Sequence, residues 1–383
     1  MKHIDRQILQ IALPSIVSNI TVPLLGLIDV AIVGHLGSPA YIGAIAVGGM
    51  LFNIIYWIFG FLRMGTSGMT SQAYGKRDLP EIVRLLMRSV GIGLAVALCL
   101  ILLQVPIRQT AFLIIHPTAE VREMATLYFH ICIWGAPAML GLYGLSGWFI
   151  GMQNSRIPMY IAITQNIVNI IASLSFVCFF KMKVEGVAFG TLIAQYAGFI
   201  MGLVLWMSRY GKLKKYILWK GVLQKEAMMR FFQVNRDIFL RTLCLVTVTL
   251  FFTSAGASQG EIILAVNTLL MQLFTLFSYV MDGFAYAGEA LSGRYIGARN
   301  RKAFTNTTRH LFIWGGWLAA FFTLVYALGG NAFLGLLTDN KDVVSAAGTY
   351  FYWALAIPVA GIAAFIWDGI FIGATATRGM LAS

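Results

Sequence analysis

The stretch PLLGLIDVAIVGHLG, residues 23–37, holds a carboxylate in apolar surroundings: Asp29 is the one charged residue between Arg6 and Arg63. A charge at bilayer depth costs about 2.5–3.5 kcal/mol on insertion scales, so such residues face a cavity or a partner. Desolvation favours the neutral form of a carboxylate, which suits a group that loads and releases a proton or holds a cation. The plainer role is that of a carboxylate capping a helix break between Pro23 and Gly34. Exchange of a proton or cation is the favoured reading.

Other polar residues stand in comparably apolar surroundings. Gln165, Asn166, Asn169 and Ser173 fall in one apolar run, and spacings of three and four put Asn166, Asn169 and Ser173 on or near one helix face. Such a stripe can join helices by hydrogen bonds, or its amides can orient Asp29 or ligate Na⁺ through oxygen. Asp282, with Asp237 and Arg241, is a candidate buried network, and Asp368 in WDGIFIG is the second isolated acid. With Asn166, these four are candidates for lining a substrate cavity. Glu289 and Arg294 are expected to form a local ion pair toward the cytoplasmic surface. Catalytic chemistry has no equivalent cluster: the five histidines are scattered, and HExxH, GxSxG and Walker patterns are absent. Cys99, Cys132, Cys178 and Cys244 stand singly without metal or redox spacing, as packing residues do. The chain therefore reads as a non-enzyme with no cofactor.

These residues need a membrane to sit in. The chain is 59% hydrophobic and 11% charged, with mean hydropathy +0.78, against about 25% charged in soluble domains. Apolar runs long enough to span recur at roughly 11–33, 42–66, 89–115, 127–150, 157–180, 184–208, 238–258, 262–290, 310–334 and 344–374. That predicts ten helices and no β-barrel. The first run is too long for a cleaved signal, and no charged soluble body follows it. With a cytoplasmic N-terminus, 21 of the 28 Lys and Arg fall in inward segments and 5 in outward ones, while Arg63 and Arg241 lie within helices. The net charge of +13 is thus topological, and nucleic acid drops out as a partner. The lipid bilayer is the partner that remains.

An offset of 222 residues superposes the chain on itself without gaps: Gly75 on Gly297, Arg77 on Arg299, Gly93 on Gly315, Tyr128 on Tyr350, GWFIG (147–151) on GIFIG (369–373), Arg156 on Arg378. Glycines and arginines at helix ends in one register point to duplication. The expected fold is an all-α integral membrane protein of two six-helix bundles, related by a pseudo-two-fold axis along the membrane normal. Residues 1–208 form the first lobe, 209–234 a basic cytoplasmic linker and 235–383 the second lobe. The second unit reaches only the counterpart of residue 161, so its last two helices are expected to be missing from this chain.

PLLGLIDVAIVGHLG, RMGTSGMTSQAYGKRD (63–78), DIFLRT (237–242), DGFAYAGEALSGRYIG (282–297) and DGIFIGAT (368–375) together resemble the multidrug and toxic compound extrusion (MATE) family, in its DinF-like branch. The likeness runs through essentially the whole chain in order. It implies a multi-pass antiporter of the bacterial inner membrane, acting as a monomer, that exports toxic organic cations and amphipathic drugs in exchange for H⁺ or Na⁺. It also implies a coupling site on Asp29, with Asn169 of the fifth helix and Thr191 of the sixth. Similar proteins often have a second acid where this chain has Ser173. Loss of that charge favours H⁺, with Na⁺ at Asp29, Asn169 and Thr191 as the alternative. A flippase for a lipid-linked saccharide is the competing reading, although its pyrophosphate substrate would call for a cavity lined with cations. An integral-membrane enzyme would need clustered histidines or acids, and a purely structural scaffold would have no need of Asp29.

Overall fold

The computed structural model describes residues 2–35, 37–337 and 341–382. Its helices in chain order are α1 (Lys2–Gly34), α2 (Pro39–Ile58), α3 (Phe61–Lys76), α4 (Leu79–Leu102), α5 (Gln104–Ile115), α6 (Ala119–Cys132) and α7 (Ala136–Gly151). They continue with α8 (Arg156–Cys178), α9 (Val184–Tyr210), α10 (Lys225–Ser258), α11 (Glu261–Gly297), α12 (Arg301–Leu337), α13 (Lys341–Gly373) and α14 (Thr377–Ala382). Ten spans among the described residues are long and apolar enough to cross a membrane, matching the number expected. Two of them are broken: α2 and α3 share one span and meet at Gly60, while α6 and α7 share another and meet at a 3₁₀ turn, Ile133–Gly135, with Pro137 opening α7. No strand occurs among the described residues; in lipid, helices satisfy each backbone polar group inside their own segment.

The helix ends repeat in the expected register. α3 closes with Asp78 N–H on the Ala73 carbonyl and Arg77 N–H on the Tyr74 carbonyl, and α11 closes in the same way with Asn300 on Tyr295 and Arg299 on Ile296. The pairs Asn154–Phe149 and Gln153–Ile150 at the end of α7 recur as Ala376–Phe371 and Thr375–Ile372 at the end of α13. Each closure is a Schellman motif, and each puts a non-glycine residue in the left-handed region: Arg77 at φ 60°, Arg299 at 53°, Gln153 at 65° and Thr375 at 51°.

α3 and α11 cross where both helices lack side chains. A Cβ on Gly75 would lie 2.9 Å from Ala298 N and against the Arg294 carbonyl, and one on Gly297 would press on the Gln72 carbonyl. Glycine at both positions lets the backbones touch. Gln72 adds hydrogen bonds from Nε2 to the Gly373 carbonyl at 3.0 Å and to Thr375 Oγ1 at 3.1 Å.

Three apolar clusters build the core. One joins α2, α4, α6, α7 and α9 around Phe52 and Phe129; a second centres on α11, α12 and α13 around Phe277 and Tyr326; the third fills the space around Trp148 and Phe231. α1 serves two of them. Ile8, Ile11 and Ala12 near its start belong to the α11–α13 cluster, whereas Val33 near its end belongs to the first. Pro14 and Pro23 lie within this helix, and a proline interior to a helix removes a hydrogen bond and creates a kink point.

The connection between the halves is ordered. A 3₁₀ segment, Gly211–Tyr216, leads to a turn held by Arg88, which donates from Nε to the Val222 carbonyl at 2.7 Å and from Nη2 to the Gly221 carbonyl at 2.8 Å. α10 begins at Lys225, so residues 225–234 of the basic stretch are helical.

Candidate functional site

The latter part of α1 brings Asp29 against α8 and α9, where it is buried at 2% exposure. Thr191 on α9 donates from Oγ1 to Asp29 Oδ2 at 3.0 Å, and Asn169 on α8 donates from Nδ2 to Thr191 Oγ1 at 3.1 Å. Gly190 makes this contact possible: a Cβ there would lie 2.9 Å from Ser173 Cα, so only a glycine lets α9 close on α8 at that level. Ser173 is one turn beyond Asn169 and is fully buried.

The chain of donors ends with oxygens unsatisfied. Asp29 Oδ1, Asn169 Oδ1 and Ser173 Oγ are buried with no hydrogen-bond partner. An orphaned buried polar atom costs about 1–3 kcal/mol, and more if charged. The orphans are all oxygen, the donor type that a proton or a hard cation uses.

Tyr128 and Cys132 of α6 adjoin the same site, and Asp29 lies within electrostatic reach of both. Sequence reading took Cys132 as a packing residue and Tyr128 only as part of the internal repeat, because neither carries charge at neutral pH. Both are buried, and the Cys132 thiol donates to the Ala188 carbonyl at 3.8 Å. Asn166, expected on the same face, uses its Nδ2 on the Ala162 carbonyl of its own helix at 2.9 Å.

A second polar group occupies the region between α3, α10, α11 and α13. Arg63 on α3 stands 3.6 Å from Glu289 Oε2 on α11, and its guanidinium lies 4.2 Å from the Tyr286 ring centre. Arg241 on α10 pairs with Asp368 on α13 at 2.7 Å. Asp282 lies within electrostatic reach of Arg63, Arg241 and Asp368.

This arrangement corrects two expectations. Asp237 does not join Asp282 and Arg241: its Oδ1 pairs with Arg236 at 3.0 Å and its Oδ2 accepts from Thr377 of α14 at 2.9 Å, because α14 folds back against the start of α10. Glu289 does not pair with Arg294. It is buried at 1% exposure against Arg63, while the Arg294 guanidinium rests over the rings of Tyr74 and Tyr295. Arg63 was the readable signal for this cluster, as a lone cation in an otherwise apolar run. Its acid partner, over two hundred residues away, was not readable.

The MatE family model matches residues 14–174 and 238–382. The chain belongs to the MatE family. Its members are membrane transporters and not enzymes, in keeping with the ten spans. DNA damage-inducible protein F of Escherichia coli (strain K12) is 38% identical over 375 residues, covering 97% of this chain and 81% of that protein. A probable multidrug resistance protein NorM of Synechococcus is 22% identical over 379 residues, covering 95% and 79%. Among solved structures, a MATE in the bent conformation superposes with a TM-score of 0.87 at 20% identity, covering 98% of this chain and 84% of that one. An outward-facing multidrug resistance MATE family transporter gives 0.83 at 19% identity, covering 97% and 84%. These structures establish the MATE transporter fold for this chain.

Proposed function

We propose that this protein is a secondary active antiporter that exports organic cations and amphipathic compounds in exchange for protons, with Asp29 as the proton carrier. The observation that carries the reading is the Asp29 site, a buried carboxylate with one oxygen bonded to Thr191 and the other orphaned beside further orphaned oxygens. A proton placed on Asp29 removes the buried charge and supplies a donor. Na⁺ would use the same oxygens of Asp29, Asn169 and Thr191. A lone carboxylate favours H⁺, since it exchanges a proton more readily than it holds a metal cation against hydration. Ser173 adds no second charge.

The placement of α1 supports a mechanism. Its first part is tied to α11 by Asn19 Nδ2 on the Tyr279 carbonyl at 3.2 Å and to α8 by Ser155 Oγ on the Ile11 carbonyl at 2.9 Å. Its last part carries Asp29. Protonation from outside lets the segment after Pro23 repack and closes the pocket of the first half, expelling substrate; release of the proton to the more alkaline cytoplasm resets it. Adaptable Met and aromatic walls suit varied apolar substrates. Two lobes, 1–208 and 235–383, joined by a linker over 209–234, rock about a site near the midplane. The repeated Schellman closures and the Gly75–Gly297 crossing are in keeping with that pseudo-two-fold relation. The excess of Lys and Arg on one side supports a cytoplasmic N-terminus, and the reading is of a monomer in the bacterial inner membrane.

The test is efflux of a fluorescent organic cation under an imposed pH gradient, with and without Na⁺, for wild type and Asp29→Asn. Gradient-dependent efflux that the variant loses is expected. Wild-type rate and pH dependence in the variant refute the mechanism, and efflux indifferent to both ions points to the flippase.

A further inference from the structure

A cavity of about 510 Å³ opens where the start of α1 meets the start of α8, far from Asp29. Its size falls in the range of small-molecule sites, roughly 300–1,000 Å³. Arg6 and Arg156 line it together with Gln10 and the apolar Leu9, Leu13 and Pro14. Both arginines are exposed, and neither has an ion-pair partner among the described residues. Asp5 also borders the cavity, but its Oδ1 is engaged at 2.8 Å by His310 Nδ1 and at 3.1 Å by Trp314 Nε1 of α12. Two unpaired guanidiniums therefore face one carboxylate that is already bonded.

We infer that this cavity is a binding site for an anionic glycerophospholipid of the cytoplasmic leaflet, its phosphate held between Arg6 and Arg156. The backbone fixes the spacing of the two cations: Ser155 Oγ donates to the carbonyls of Gln10 and Ile11 at 3.3 and 2.9 Å, pinning α1 to the first turn of α8. With that hydroxyl used on α1, no side chain caps the N-terminus of α8, whose free N–H groups and positive dipole end add to the attraction for a phosphate. Arginine suits the role through its planar fork of donors.

The apolar part of the site argues for a lipid over a free phosphate. Leu9, Leu13 and Pro14 form one wall of the cavity. Leu13 begins a row of exposed apolar side chains that continues up α1 through Val17, Ile20 and Leu24, and α8 presents Tyr160, Ile167 and Ile171 in the same way. Acyl chains leaving the headgroup find this surface directly above it. On the topology proposed above, both arginines lie at the cytoplasmic face, which carries most of the cations, where anionic lipid heads meet basic pockets between helices.

Native mass spectrometry of the purified chain in neutral detergent tests this, with added phosphatidylglycerol, phosphatidylcholine of identical acyl chains, or inorganic phosphate alone. Wild type is expected to retain phosphatidylglycerol and to show little retention of the other two. Each near-surface cation contributes roughly fivefold in affinity, so Arg6→Gln and Arg156→Gln each weaken retention about fivefold and the double variant about thirty-fold. Arg122→Gln, outside the cavity, leaves it unchanged. Equal retention of phosphatidylcholine, or equal occupancy by inorganic phosphate, overturns the proposal. So does wild-type affinity in both single variants, which are read separately so that a poorly folded double variant leaves the decision intact.

Discussion

Removing Arg63 is expected to destabilise this protein far more than removing its acid partner, although the two form one ion pair. At 3.6 Å two unit charges attract by about 4–5 kcal/mol at an effective dielectric constant near 20. The Glu289 side chain is 1% exposed and that of Arg63 13%, so desolvation offsets much of that attraction. What each single variant leaves behind sets its cost. Arg63→Met strands a buried carboxylate and is expected to cost about 3–5 kcal/mol. Glu289→Gln keeps the shape and leaves the guanidinium with the Tyr286 ring at 4.2 Å and with Asp282 nearby, so about 1–2 kcal/mol is expected. In the double variant neither charge is stranded, and the loss should fall about 2–3 kcal/mol below the sum of the singles. The assay is unfolding of the purified protein in mixed micelles by increasing SDS, followed by tryptophan fluorescence at fixed pH and salt. Single-variant losses that add to within about 0.5 kcal/mol would refute the pairing, and a Glu289→Gln loss equal to that of Arg63→Met would refute the role given to Tyr286 and Asp282.

Thr191→Val keeps the volume but removes the hydroxyl that donates to Asp29; about 1–3 kcal/mol of stabilisation at Asp29 is lost, expected as a fall of about fivefold to about 150-fold in gradient-driven efflux, with Thr191→Ser retaining activity. Gly75→Ala drives a methyl against the Arg294 carbonyl and is expected to cost more than about 3 kcal/mol, whereas Gly91→Ala in α4, with nothing within 4 Å, is neutral or stabilises by up to about 1 kcal/mol; the same SDS titration compares them. Arg88→Met strips the guanidinium that bonds Glu81 at 2.6 Å and the Gly221 and Val222 carbonyls, so trypsin should cut the 217–224 turn at Lys220 much faster than in wild type. An unchanged cleavage rate there would show that the turn is held by other contacts.

Ten spans, the 222-residue offset and the acid in the first helix were all legible in the chain, because each rests on local chemistry. Twenty apolar residues demand a helix in lipid wherever they pack, and a lone carboxylate among them is costly in any fold. The polar spacing of Asn169 and Ser173 was equally local. What they touch was not: Thr191 reaches Asp29 only because Gly190 lets α9 close on α8, and no rule of spacing links positions 29 and 191. The acidic residues show the same division. Sequence could mark Asp237, Asp282, Glu289 and Asp368 as expensive to bury, but it assigned Asp237 to the wrong group and Glu289 to the wrong arginine. Pairing is decided by which helix ends converge, and tertiary packing sets that convergence: α14 folding onto α10, and two glycines letting α3 meet α11. Local composition determined what must be buried and where the membrane lies; only the packed structure determined which buried group answers which.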